Sequence, residues 1–330
     1  TDAGIRLQVA TGVASHERRF GGWSGGFWLP ECAYRPGLER DLAEDGVRCF
    51  CVDQTDALGL GSLDHLEPLA TDAGPVAVPI CWEMVSLVWD IEHGYPANPL
   101  YRDYHGRTVH DLKPWNHSGE PYRHHQALAL AREHARDFVR RAITRLDAYA
   151  AERGRPGLLC CALDTELLGH WWYEGLHWLA FVIDEARLQG LELATLPDAL
   201  DELEPVPDVP IAASSWGHEK DLRTWDAPHV AEIAFTSRKA ELETVAAAAA
   251  AGTHGPALER AARELLALQS SDWAFQVTHE LADDYPLRRV RGHATELDTA
   301  LEAVKDSAPV PEATLRNLAP ELDLSPLLTP

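Results

Sequence analysis

Residues 27–53, FWLPECAYRPGLERDLAEDGVRCFCVD, decide the fold. An apolar run, FWLPECAY, stops at a proline and hands over to a carboxylate, Glu31, with Trp28 and Tyr34 on either side. A Pro-Gly turn and the amphipathic stretch LERDLAEDG follow, and RCFCVD is a second apolar run ending in Asp53. The order is strand, turn, helix, strand. Outward from this unit, PVAVPICWE (75–83) reads as another buried strand ending in a polar residue, and GLLCCAL (157–163) as a strand with Asp164 at its carboxyl end.

Between these runs lie helices and one long loop. Residues 93–121 are rich in Gly, Pro, His and aromatics and keep neither period, which predicts a long functional loop rather than a disordered one. From Tyr122 to Arg153 apolar residues recur at Leu128, Ala131, Ala135, Phe138, Ala142, Leu146 and Tyr149, the pattern of a long helix closed by Gly154. Residues 176–190 are helical in content, LELATL (191–196) is strand-like, and PDALDELE (197–204) is a helix opening on proline. Strands alternating with helices imply an α/β fold with a mostly parallel sheet covered on both faces. From about Ala234 only helices are expected; the six alanines at 246–251 are strong helix former ended by Gly252, and SPLLTP (325–330) reads as a tail. No sequence repeat is found.

Composition removes several function classes. A formal charge of −23, with 52 acidic against 29 basic residues and no basic cluster, repels a phosphate backbone, so nucleic acid and anionic membranes are poor partners. No apolar run is long enough to cross a bilayer and no leader is seen. The six cysteines lie mostly in strand-like runs, without C-x-x-C pairs or disulfide-like spacing, which suits a reducing cytoplasm. The first residue is Thr1 rather than Met.

In α/β folds reactive residues gather at the carboxyl ends of strands, the address of both Glu31 and Asp164. Two carboxylates, one a nucleophile and one a proton donor, are what glycosidic bond chemistry requires. Eleven tryptophans add flat apolar surface of the kind that stacks on pyranose rings. Each feature has a plainer reading. Glu31 could be a structural acid, Asp164 a helix cap or Asx turn, Glu166 a surface acid, and any one tryptophan a core residue. Trp171 and Trp172 are adjacent, so only one of them can enter a given core. His124, His125 and His134 match no zinc spacing and read as a solvated helix face.

Four stretches carry a resemblance: GFWLPECAY, DTELLGHWWYEG (164–175), SSWG (214–217) and QSSDWAF (269–275) resemble the successive blocks of glycoside hydrolase family 57, closest to its 1,4-alpha-glucan (glycogen) branching enzymes. The resemblance implies a distorted (β/α)7 TIM-like barrel over residues 1–233, an all-helical C-terminal domain over 234–330, retention of configuration, and no metal or cofactor. It makes Glu31 the nucleophile and Asp164 the general acid/base. It assigns Trp28, His170, Trp171, Trp172, Trp216 and Trp225 to sugar binding, has Asp272 and Trp273 reach in from the helical domain, and makes Tyr95 or Tyr101 the tip of a loop closing over the donor glucan. Such a lid excludes water and favours transfer over hydrolysis.

Family members begin with barrel strands and a histidine motif ahead of the nucleophile block. This chain therefore resembles the C-terminal part of one, for which an open barrel, poor solubility and little activity alone are expected. After SSWG the family tends to continue with glycines, whereas here HEKDLRTWDAP follows. The expected substrate is an alpha-glucan, and the oligomeric state is left open. Alternative readings are a 4-alpha-glucanotransferase or alpha-amylase of the same family, or a noncatalytic glucan-binding remnant.

Overall fold

The computed structural model describes residues 1–309 and 318–328. The chain packs as two units. One comprises residues 1–50, 71–75 and the described part of 211–330; the other comprises 51–70 and 76–210.

The first unit opens with helix α1 (Asp2–Phe20), which burials at Ala3, Leu7 and Val9 hold in place and left-handed Gly21 ends. The sequence reading starts at residue 27 and leaves α1 out. Strand β1 is only Gly26–Phe27, and helix α2 (Leu38–Glu44) connects it to β2 (Cys49–Val52). β1 and β2 run parallel with Gly26 opposite Cys49 and Phe27 opposite Phe50, as expected of a strand–helix–strand unit. The run FWLPECAY does not stay in the ladder. Pro30 supplies no N–H and opens a 3-10 turn, Pro30–Cys32. Tyr34 instead forms an antiparallel bridge with Ser214, their N–H···O distances being 2.8 and 3.0 Å.

The rest of this unit is helical: α8 (Ala231–Ala251), α9 (Pro256–Leu268), α10 (Ser271–Thr278), α11 (Tyr285–Asp306) and α12 (Ser325–Leu328). Leu258, Ala261, Ala262, Leu265 and Leu268 make one apolar stripe on α9, packed with Val290 and Leu297 of α11. The expected tail corrects to a packed element. Pro326 and Leu327 of α12 are buried, and α12 lies against α1, because two leucines after a proline have an apolar groove to fill. Residues 329–330 of that stretch lie outside the described residues.

In the second unit come α3 (Thr55–Leu58), β3 (Val76–Pro79), α4 (Trp82–Trp89), α5 (His124–Arg153), α6 (Gly175–Gln189) and α7 (Leu196–Leu200). The α5 stripe is Ala127, Ala131, Ala135, Phe138, Ala142 and Tyr149, close to the expected set, and its alanines let α6 approach with Trp178, Val182 and Ala186. The strand expected over 75–83 ends at Pro79, and Trp82 already begins α4. Residues 157–163 are not a ladder strand either: Cys160 makes one parallel bridge, accepting from Cys81 N–H at 2.8 Å. LELATL is irregular through Thr195, and its last residue, Leu196, already begins α7.

The protein is thus α/β with a helical C-terminal region. Among the described residues its one sheet has three strands in the order β1-β2-β3 rather than the seven of a barrel. Ile80, just after β3, donates to Val52 O at 2.9 Å.

Candidate active site

Glu31 stands in the first unit and Asp164 in the second. Around Glu31 the backbone is bent sharply. Glu31 has φ 55° and ψ 21°, and Cys32 follows at φ 52°, two consecutive left-handed residues with side chains. Each such residue costs roughly 1–2 kcal/mol, so the neighbours must hold it. They do so through Cys32 N–H to Leu29 O (2.8 Å), Ala33 N–H to Pro30 O (3.0 Å) and Trp216 N–H to Glu31 O (3.0 Å). The bend takes the carboxylate out of the strand direction and between two donors. Trp216 Nε1 donates to Oε2 and Ser271 Oγ to Oε1, both at 3.2 Å. Trp28, exposed, packs its ring against Trp216 with centroids 4.7 Å apart.

Trp225 works one step removed. Its Nε1 donates to Ser271 O at 3.1 Å and steadies the residue whose hydroxyl meets Glu31. Gly217 lies against it, where a Cβ would fall 2.9 Å from the Trp225 ring and 2.9 Å from Thr224 Oγ1. In the loop after SSWG, where the family tends to place glycines, Glu219 (φ 56°) and Lys220 (φ 58°) take left-handed conformations. Ser215 N–H to Lys220 O (3.0 Å), Lys220 N–H to Gly217 O (3.0 Å) and an Arg223–Glu219 ion pair support that loop.

Trp273 and Asp272 are placed differently from the expected inward reach. The Trp273 indole donates to Ala267 O at 2.8 Å and packs in the helical core beside His293. Asp272 is exposed and accepts from Ser270 Oγ at 3.4 Å. Ser271 was not singled out in the sequence, since nothing in QSSDWAF separates it from its neighbour Ser270.

In the second unit Asp164 is half-buried at the N-cap position of a 3-10 turn, Thr165–Leu167. Trp171 and Trp172 divide as their adjacency requires: Trp172 is 2 % exposed in the core, while Trp171 is 52 % exposed. Left-handed Gly169 makes this possible, its N–H returning to Trp172 O at 2.8 Å. Tyr104 stacks on Trp171 (centroids 5.0 Å, 29°), its hydroxyl lies 3.0 Å from His170 Nε2, and Lys113 Nζ stands 3.8 Å from its ring centre. These side chains, with Arg102, wall a cavity of about 250 Å³.

The expected loop tips are corrected. Tyr101 is fully buried with its hydroxyl 2.8 Å from His134 Nδ1, and Tyr95 is buried and donates to Asp137 Oδ2 at 2.8 Å. Burial, aided for Tyr95 by the Asp137 carboxylate, pushes both phenols well above their ordinary value, and burial depresses His134. Both tyrosines anchor the loop to α5 because their rings have an apolar core to enter. The loop's aromatic at the Trp171 cluster is Tyr104, which the alternation-free loop sequence could not single out.

None of the six cysteines is in a disulfide, and no described helix is long and apolar enough to cross a membrane. Among the described residues no group of three or more His, Cys, Asp or Glu could hold a metal ion.

Comparison with known proteins puts this geometry in context. The model of the family described as Glycosyl hydrolase family 57 matches residues 1–210, and that described as 1,4-alpha-glucan branching enzyme, C-terminal, matches residues 235–326. A 1,4-alpha-glucan branching enzyme of Thermococcus kodakarensis is 31% identical over 89% of this chain and 50% of its own length. A probable 1,4-alpha-glucan branching enzyme of Mycobacterium tuberculosis is 34% identical over 86% of this chain and 57% of its own. The chain therefore spans about half the length of the curated relatives it matches.

The solved GH57-type branching enzyme of Pyrococcus horikoshii superposes with a TM-score of 0.88 at 28% identity, over 100% of this chain and 68% of that one. The alpha-amylase AmyC of Thermotoga maritima (TM-score 0.81, 23% identity, 99% of this chain and 70% of that one) shares the fold. With the family model matching well over half of its residues, this chain belongs to glycosyl hydrolase family 57.

Proposed function

We propose that the protein transfers segments of alpha-1,4-glucan and forms alpha-1,6 branches. The observation that carries the reading is the carboxylate of Glu31, strained in the 3-10 turn that follows strand β1 and held at both oxygens by Trp216 and Ser271. The likeness to branching enzymes in both matched regions supports branching over disproportionation or hydrolysis.

In this reading Glu31 attacks the anomeric carbon of the donor while Asp164 protonates the departing glycosidic oxygen. Asp164, now ionised, then takes the proton of an acceptor 6-hydroxyl as that oxygen displaces Glu31, so configuration is retained. Two donors on Glu31 keep its oxygens aimed and lower the reorganisation needed at attack. Trp28, Trp216, Trp171 and His170 would present rings and polar edges to the sugar, with Trp225 acting through Ser271 and Trp172 through the core. Asp272 and Trp273 would need to turn from their present partners to touch substrate. The domain division at 233/234, membership of the strands in a (β/α)7 barrel, and a cytoplasmic setting are parts of the same proposal.

The test is incubation with amylose, followed by debranching and chromatography of chain lengths. Short chains released only after debranching, and lost in Glu31→Gln and Asp164→Asn, are the expected result. Linear oligosaccharides without debranching would transfer the reading to a glucanotransferase or amylase, and an unchanged product would leave a glucan-binding remnant.

A further inference from the structure

Glu174, in the block that begins at Asp164, takes no part in the chemistry above, and it is fully buried. Its place at the end of a helix does not explain it. Glu174 is the N-cap residue of α6, yet its side chain bonds to no N–H of that helix. Oε1 accepts from Arg102 N–H at 3.3 Å, while Oε2 is buried without a hydrogen-bond partner. A carboxylate taken out of water with one contact and no cation carries a desolvation cost, so its explanation lies in what it holds.

What it holds is the loop of residues 93–121, at Arg102. From there Arg102 Nε donates to Lys113 O at 2.8 Å, and the guanidinium lies 4.4 Å from the Tyr173 ring centre, so both arms of the loop meet at one residue. Asp103 N–H to Trp115 O and His117 N–H to Tyr101 O, both 3.0 Å, lace the arms together beside it. Burial, with the Glu174 carboxylate beside it, also pushes the phenol of Tyr122, just past the loop, well above its ordinary value. Tyr104 and Lys113 project from this knot: Tyr104 stacks on Trp171 and meets His170, and Lys113 covers the other ring.

We infer that Glu174 is a positioning residue for glycosyl transfer, tethering the loop through Arg102 so that Tyr104 and Lys113 stay closed on the His170–Trp171 wall. This rests on the alpha-glucan reading and adds to it a residue that touches no sugar. A loop held closed keeps water away while the acceptor is awaited, so loosening it shifts products from transfer towards hydrolysis rather than abolishing reaction. Stability moves the other way. An apolar side chain of similar volume in place of an uncompensated buried carboxylate removes a desolvation cost.

The experiment compares Glu174→Met and Glu174→Gln with the unsubstituted 330-residue chain by hydrogen exchange, urea unfolding and amylose products. In Glu174→Met the amides of Arg102, Asp103 and His117 should exchange about tenfold faster, the factor for one lost hydrogen bond to a charged group, while the urea midpoint is no lower. Branches formed per bond hydrolysed should fall by about the same factor, following the larger open fraction of the loop. Glu174→Gln keeps an acceptor for Arg102 N–H and should stay near the unsubstituted chain in both readouts. Val182→Ala, in the same core but away from the loop, should lower the urea midpoint and leave the product ratio alone. Unchanged exchange at Asp103 and His117 in Glu174→Met would overturn the tether, and faster exchange with an unchanged product ratio would overturn its role in transfer. An unsubstituted chain that forms no product would overturn the proposed function and that role with it, while the exchange data would still sustain or overturn the tether.

Discussion

At the scale of single residues, the two acids show what an address in a sequence is worth. Glu31 stood out as a candidate because the apolar run breaks at proline and continues with an acid, in a block that resembles the family's and is matched by a second acid at Asp164. The partners of Glu31 did not, since Trp216 is 185 positions away and Ser271 is 240 positions away. Their contribution can be measured. Ser271→Ala or Trp216→Phe removes one donor to the carboxylate; each should lower kcat about tenfold with KM little changed, as about 1.4 kcal/mol of transition-state stabilisation is lost. Steady-state kinetics with melting curves checks this, and an unchanged kcat would reduce both donors to scaffolding. Gly217→Ala has a different signature, because the new methyl must displace Thr224 or the Trp225 ring. Overpacking of that kind costs about 1–3 kcal/mol, and urea unfolding should show it as a lower midpoint.

At the scale of elements, helices were read more faithfully than strands. The α5 stripe and its Gly154 stop follow from a 3.6-residue period, a property local to the helix. The runs at 157–163 and 191–196 are apolar enough for strands, yet a strand exists only where a neighbour supplies hydrogen bonds, and that is a long-range fact. Helix ends offer a clean test. Gly252 closes α8 at φ 65°, and nothing lies within 4 Å of where its Cβ would stand. Gly252→Ala should therefore cost only the left-handed backbone penalty, roughly 1 kcal/mol by denaturant titration, with no change in activity. Leu265→Ala, in the fully buried stripe of α9, should cost more, about 2–5 kcal/mol, because it leaves a cavity.

At the scale of the whole molecule, stability is tied to pH through buried acids. Burial pushes the Glu264 carboxyl up, but the His293 hydrogen bond and the Arg260 guanidinium outweigh it and hold it below the usual range. Asp137 is likewise held down against its burial by Arg141 and Tyr95. A carboxylate whose pKa is lowered by folding stabilises the protein above its unfolded pKa, about 4. That contribution disappears as pH falls through the lower, folded value. Urea midpoints should accordingly be nearly flat from neutral pH down to about 5 and fall steeply below 4, with a shallower fall in Glu264→Gln. A fall beginning near pH 6 would point instead to the histidines. By itself the sequence determined the α/β class, the helical C-terminal region, the family and the position of Glu31, because periodicity, breakers and compact motifs are written in neighbouring residues. Only the tertiary structure decided which tyrosines face the core, that residues 325–328 pack as a helix, and which side chains hold Glu31. Those outcomes depend on surfaces brought together from distant parts of the chain, and the free energy of burying them is settled by packing rather than by local preference.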